Sequence, residues 1–218
     1  MAAIDLVRRR SDYDESLDDF PTPPWAVRAL MHHVLTPSDL ACKSVLEPAC
    51  GRGHVAQTLK EYGARVEARD IKDYGYPDTK LLDFANYADA WRVAPQKYDW
   101  VITNPPYKLG QAFFDAAMLT ATRGVALLMK MQWLTSAGRY ARIFEPNPPS
   151  TIAVFTSRMP ATQGKVVKRA GVIFTHVWCV WNLTPSTSRR TEFVWLPPDA
   201  QKNLERDSDY DKFPWEKE

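Results

Sequence analysis

The run Asn104-Pro105-Pro106-Tyr107 closes an apolar, β-branched stretch, Asp99-Trp100-Val101-Ile102-Thr103, and its residue types define a narrow chemistry. Two consecutive prolines contribute no N–H and hold a restricted backbone, so the segment presents carbonyl oxygens to whatever lies above it. Asn104 adds a side-chain carbonyl, and Tyr107 adds a flat aromatic face. Together they suit an exocyclic amine on a planar group. The Asn104 side chain and the Pro105 carbonyl can take both amine hydrogens, while Tyr107 stacks on the ring. An aromatic amine is a poor nucleophile because its lone pair is delocalised into the ring. Acceptors out of the ring plane favour a more tetrahedral nitrogen and aim that lone pair at an electrophile.

Two further signals lie upstream. Val45-Leu46-Glu47-Pro48-Ala49-Cys50-Gly51-Arg52-Gly53-His54 reads as a strand that ends in an acid and turns through two glycines into a helix. Such a loop, at the carboxyl end of a strand, is where open α/β sheets bind ligands, and glycines let a ligand approach the backbone. The third glycine of the dinucleotide fingerprint is missing, which weakens a nicotinamide reading. Arg65-Val66-Glu67-Ala68-Arg69-Asp70 then places Asp70 about 20 residues beyond the turn, where a carboxylate can accept both hydroxyls of a cofactor ribose. Asp83, after Leu81-Leu82, could meet an adenine amino group in the same crevice, though a surface carboxylate is the alternative at both positions.

These residues need a scaffold of alternating strands and helices. Ser44 to Glu47, Arg65 to Ala68, Tyr98 to Asn104 and Gly124 to Met131 read as strands. Pro24 to Leu35, His54 to Tyr62, Gln111 to Thr122 and Ala137 to Phe144 read as helices. Strand then helix, repeated, predicts a mostly parallel sheet covered on both faces. Thr151 to Ser157 and Phe174 to Asn182 are β-rich with no helical pattern between them, which predicts an antiparallel pair joined by the long loop Arg158 to Gly171.

Charge and composition bound the partners. With 218 residues, 28 basic and 26 acidic side chains, the chain predicts one domain whose net charge of +2 hides an uneven distribution. Arg139, Arg142, Arg158, Lys165, Lys168, Arg169, Arg189 and Arg190 face only Glu145 across that stretch, the footprint expected toward a polyanion. Residues 1–19, rich in Asp and Glu, and the polar tail 197–218 are expected to be flexible, leaving 20–196 as the domain. Cys42, Cys50 and Cys179 form no CxxC pair, and no apolar stretch is long enough to span a bilayer, so a reducing cytoplasmic setting is expected. His32, His33, His54 and His176 are expected in packing or surface roles, with no metal.

From Phe20 to Asn182 the chain resembles the S-adenosylmethionine-dependent amino-methyltransferases, in particular the phage-type N6-adenine DNA methyltransferases. Thr22-Pro23-Pro24-Trp25 looks like the motif contacting the methionine end of the cofactor. Glu47, Pro48, Ala49, Gly51 and Gly53 resemble the cofactor loop. Asp70 with Ile71 resembles the ribose acid, Asp83-Phe84 the adenine contact, and Asn104 to Tyr107 the catalytic motif, with Asn104 also touching the cofactor. This order is that of the gamma class. The resemblance implies a Rossmann-like, seven-stranded sheet with one antiparallel strand. It also implies methyl transfer to the amine of a flipped adenine in DNA, with RNA possible. Lys130, Trp133, Arg139, Lys165, Lys168 and Arg169 would contact the nucleic acid. Enzymes that methylate rRNA bases or protein glutamine share the motif, and an inactive nucleic-acid-binding module is the non-enzymatic alternative.

Overall fold

Period-two alternation along the strands decides which side chains meet each helix layer. The computed structural model describes residues 20–86, 97–160, 164–169, 175–184 and 190–211. Its strands are β1 (Ser44–Glu47), β2 (Arg65–Asp70), β3 (Lys80–Leu81), β4 (Tyr98–Thr103), β5 (Ala121–Lys130), β6 (Thr151–Phe155), β7 (His176–Asn182) and β8 (Glu192–Leu196). They form one sheet in the order β3-β2-β1-β4-β5-β7-β6-β8, with β7 alone among the described strands running against its neighbours. The helices are α1 (Pro24–His33), α2 (Pro37–Leu40), α3 (His54–Lys60), α4 (Gly110–Thr120), α5 (Ala137–Arg139) and α6 (Ala200–Leu204).

Trp100 and Ile102 of β4, Ala126 and Leu128 of β5, and Trp178 and Val180 of β7 share one face, under α1 and α3. Val101, Leu127 and Cys179 share the other, under Phe113, Phe114 and Ala117 of α4. Helices therefore cover both faces, as the alternation predicts. Within the first layer, Trp25 meets Phe155 edge-on at 5.5 Å, and the Trp178 indole N–H donates to the Ala26 carbonyl at 3.0 Å. These contacts seat α1 so that Thr22, just before it, reaches the carboxyl edge of the sheet.

Several boundaries differ from the sequence reading, each for a tertiary reason. β5 starts at Ala121, which pairs with Tyr98, so α4 stops at Thr120. A Cβ on Gly124 would lie 2.2 Å from the Trp100 ring, so this glycine is there to admit the indole. The helix expected through Phe144 is one α-turn followed by a π-turn over Tyr140–Phe144. Among the described residues the sheet has eight strands and not seven, because Glu192–Leu196 adds parallel to β6 as an edge strand. The described part of the tail, 197–211, is docked: α6 packs on α1, and Asp209 is buried against Arg28. Residues 1–19 and 212–218, also expected to be flexible, lie outside the described residues, as do 161–163 and 170–171 of the basic loop and 172–174 after it. No helix among the described residues is long and apolar enough to cross a membrane.

Candidate active site

β2 and β3 lie to one side of β1 and β4 lies to the other, so the topological switch point falls between the carboxyl ends of β1 and β4. Glu47 ends β1, Thr103 ends β4, and the Thr103 hydroxyl donates to Glu47 Oε1 at 2.5 Å across that point. The Ala49 amide donates to the same oxygen at 3.2 Å. Next in the chain, Asn104 Nδ2 donates to the Thr22 hydroxyl at 3.0 Å. The two motifs farthest apart in the sequence reading therefore meet side chain to side chain. Held this way, the amide leaves Asn104 Oδ1 buried with no hydrogen-bond partner among the described residues. Glu47 Oε2 is likewise buried and unpartnered, and burial pushes the Glu47 carboxyl up to about 8, opposed by its bond from Thr103.

The glycine turn builds the adjoining wall. Gly51 (φ 49°) and Gly53 (φ 89°) are left-handed, a conformation that costs glycine little. A Cβ on Gly51 would meet nothing within 4 Å, whereas one on Gly53 would lie 2.1 Å from the Tyr76 ring. Gly51 thus opens the turn to a ligand, and Gly53 serves packing. The Asp70 carboxylate accepts from the Gly51 amide at 2.8 Å and the Lys72 amide at 3.1 Å, which fixes it at the lip of the turn. Beside it, Ile71 is exposed despite its apolar side chain. Pro23 and Pro48 are buried supports, and Ala49 is half-buried.

Tyr107 begins the 3₁₀ turn Tyr107–Leu109 after the buried Pro105 and half-buried Pro106. Its hydroxyl is hydrogen-bonded to His176 Nε2 at 2.8 Å, and Lys130 Nζ lies 4.2 Å from its ring centroid. His176, expected in a packing or surface role, is 2% exposed and sits against Tyr107 of the Asn104 to Tyr107 motif. Thr103 and His176 were not legible as site residues; for His176 the signal was its place at the start of the second strand of the antiparallel pair. Cys50 and Cys179 are buried thiols pushed up to about 12, whereas Cys42 is exposed.

Two assignments, Phe84 and Trp133, need correction. Phe84 is 1% exposed and packs on Phe113 at 5.3 Å, so its ring faces the core and not an adenine. Asp83 accepts from the Asn86 amide at 3.3 Å within its own turn. Trp133 is buried against Phe144 at 5.5 Å, and Arg139 lies over its indole while donating to its carbonyl; the ring is a core element, not a base platform. Lys168 pairs with Glu205 at 3.1 Å, which spends part of its charge on the docked tail. Lys165 and Arg169 are exposed on the β6–β7 loop, which leaves the same sheet edge as Asn104. Arg190 precedes β8 at the opposite edge, and Arg189 lies outside the described residues.

No protein-family model matches the chain, and no curated protein matches it. Among solved structures, an Agrobacterium tumefaciens protein described as a predicted O-methyltransferase is similar at TM-score 0.51 and 15% identity, over 80% of this chain and 85% of that one. Magnesium protoporphyrin IX methyltransferase from Synechocystis with bound SAM is similar at TM-score 0.47 and 18% identity, covering 72% and 78%. The T. thermophilus 16S rRNA N2 G1207 methyltransferase is similar at TM-score 0.41 and 14% identity, covering 77% and 45%. What the first comparison establishes is the fold: the chain has the mixed, mostly parallel α/β architecture of the methyltransferases.

Proposed function

We propose that this protein is an S-adenosylmethionine-dependent methyltransferase that modifies the exocyclic N6 amine of adenine in DNA. The observation that carries the reading is Asn104 Oδ1, a buried acceptor with no partner among the described residues, at the switch point of a methyltransferase fold. A buried polar atom left unsatisfied costs about 1–3 kcal/mol, so a ligand donor is the natural occupant.

The residues present fit the cofactor. Gly51 leaves open space, the Asp70 carboxylate is fixed at the lip of the turn where ribose hydroxyls would lie, Ile71 offers an apolar edge, and a cationic group beside the buried Glu47 would draw its carboxyl toward the ionised form. When bound, S-adenosylmethionine supplies a methyl group on a cationic sulfur, and transfer exchanges that C–S bond for an N–C bond with loss of one amine proton. Thr22 fixes the Asn104 amide so that Oδ1 accepts one amine hydrogen, and the Pro105 carbonyl accepts the other. Tyr107 stacks on the base. Positioning of this kind can lower a barrier by roughly 7–11 kcal/mol. Because N6 is paired in a duplex, the base must be extruded at a cost of a few kcal/mol. Exposed Arg158, Lys165 and Arg169 on the same sheet edge supply phosphate contacts, so binding weakens steeply with salt.

The test is incubation with methyl-labelled S-adenosylmethionine and separate pools of duplex DNA, RNA and protein, followed by digestion and identification of the methylated group. N6-methyldeoxyadenosine supports the reading. Label in guanine of RNA or in glutamine reassigns the substrate, and label nowhere rejects the activity.

A further inference from the structure

Tyr107 is held from two neighbouring strands, β5 and β7, that run antiparallel. Lys130 is the last residue of β5, at the catalytic edge of the sheet. Had β7 run parallel, its carboxyl end would lie beside Lys130. Because it runs antiparallel, its first residue does, and His176 is the direct register partner of Lys130. The two side chains grip the same phenol in different ways: His176 Nε2 is 2.8 Å from its hydroxyl, and Lys130 Nζ is 4.2 Å from its ring centroid. His176 is itself 2% exposed, so the anchor is packed into the sheet and does not move with solvent.

We propose that His176 is a positioning residue that sets the plane of the Tyr107 ring for stacking by the target base, acting through the hydrogen bond between its Nε2 and the Tyr107 hydroxyl. The proposal rests on the reading of Asn104 to Tyr107 as an amine-methylation motif. A phenylalanine at position 107 would stack equally well but could swing about its side-chain torsions. The hydroxyl and its histidine remove that freedom, and the entropy of ordering the ring is lost in folding instead of at each encounter with a base. His176 touches neither the base nor the methyl group; it acts through Tyr107.

A double-mutant cycle on the full chain tests this, using methyl transfer to mixed-sequence duplex DNA. His176→Phe removes the hydrogen bond and keeps a ring of similar bulk. It is expected to lower kcat/KM for DNA roughly tenfold, the worth of about one hydrogen bond, with unchanged affinity for S-adenosylmethionine. In a Tyr107→Phe background the same substitution is expected to change kcat/KM by less than about twofold, since the bond it would break is already absent. His176→Gln, which keeps a polar group near the Nε2 position, is expected to recover most of the loss and guards against misfolding of the first variant. Equal losses in both backgrounds would show a merely structural role and overturn the proposal, as would an unaffected His176→Phe enzyme. An active wild-type protein with an additive cycle refutes this inference alone, whereas a wild-type protein that methylates neither DNA nor RNA overturns the functional reading and the inference with it.

Discussion

Two buried polar clusters in this protein are finished to different degrees. Around Arg28, 4% exposed in α1, every guanidinium N–H is used: two donate to Glu61, two to Asp209 and one, shared on Nη1, reaches the Leu204 carbonyl, at 2.7–3.0 Å. Around Asn104 and Glu47, two carboxyl-edge acceptors are buried and have no partner among the described residues. The first cluster closes on itself and ties the tail to α1. The second finds no donor for either atom among the described residues.

The comparison breaks most visibly at the anchor. Asp209→Ala leaves the buried Arg28 with Glu61 as its remaining carboxylate partner and two N–H groups unmatched, and is expected to cost about 3–5 kcal/mol in denaturant unfolding, with cofactor affinity unchanged once folded. Loss of methyl transfer out of proportion to unfolding would show that the tail belongs to the site.

Asn104→Ala should do the reverse. Turnover is expected to fall about 10²–10³-fold, as when one preorganised polar contact to a reacting group is removed, while cofactor binding stays measurable. Its melting temperature should be nearly unchanged, because one bond to Thr22 is lost together with one unsatisfied acceptor. Retained turnover would reject the role of this residue.

Glu47 sharpens the contrast through pH. Its folded carboxyl is raised from 4.5 to about 8, so below pH 4.5 the folded and unfolded states are protonated alike and its stabilising share is intact. Between pH 4.5 and 8 only the unfolded state has released the proton, and stability falls by up to about 1.4 kcal/mol per pH unit. Glu47→Gln, with nothing to ionise, should flatten that alkaline limb in melts across pH 5–8.5. A limb unchanged by the substitution would place its cause elsewhere.

The smallest effect is expected on the acid side. Burial lowers His54, at the start of α3, from 6.5 to about 4, with Arg52 adding to the shift. Its contribution is present above pH 6.5 and lost as pH falls toward 4, a narrower window than that of Glu47. His54→Phe should reduce the loss of melting temperature between pH 6.5 and 4; an equally steep loss would exclude His54 as its source.

Much of this was legible because the relevant signals are local. β1 runs over Ser44–Glu47 as read, and the antiparallel pair followed from two β-rich runs without an intervening helix pattern. Asn104, Glu47 and Thr22 were each named from short motifs, and the fold brings them to one edge. What stayed hidden depends on partners distant in the chain. Nothing near His176 announces Tyr107, 69 positions away, and nothing near Arg28 announces Asp209, 181 positions away. Phe84 and Trp133 show the converse error: an aromatic beside a motif was assigned to a ligand, yet core packing claims both rings.

The central claim is that the free acceptor on Asn104 awaits an aryl amine. A crystal structure of the protein with S-adenosylhomocysteine and deoxyadenosine tests it most directly. The account predicts the nucleoside N6 within about 3 Å of Asn104 Oδ1, with its ring on Tyr107. Oδ1 capped by another side chain, or the nucleoside bound away from this edge, would contradict it.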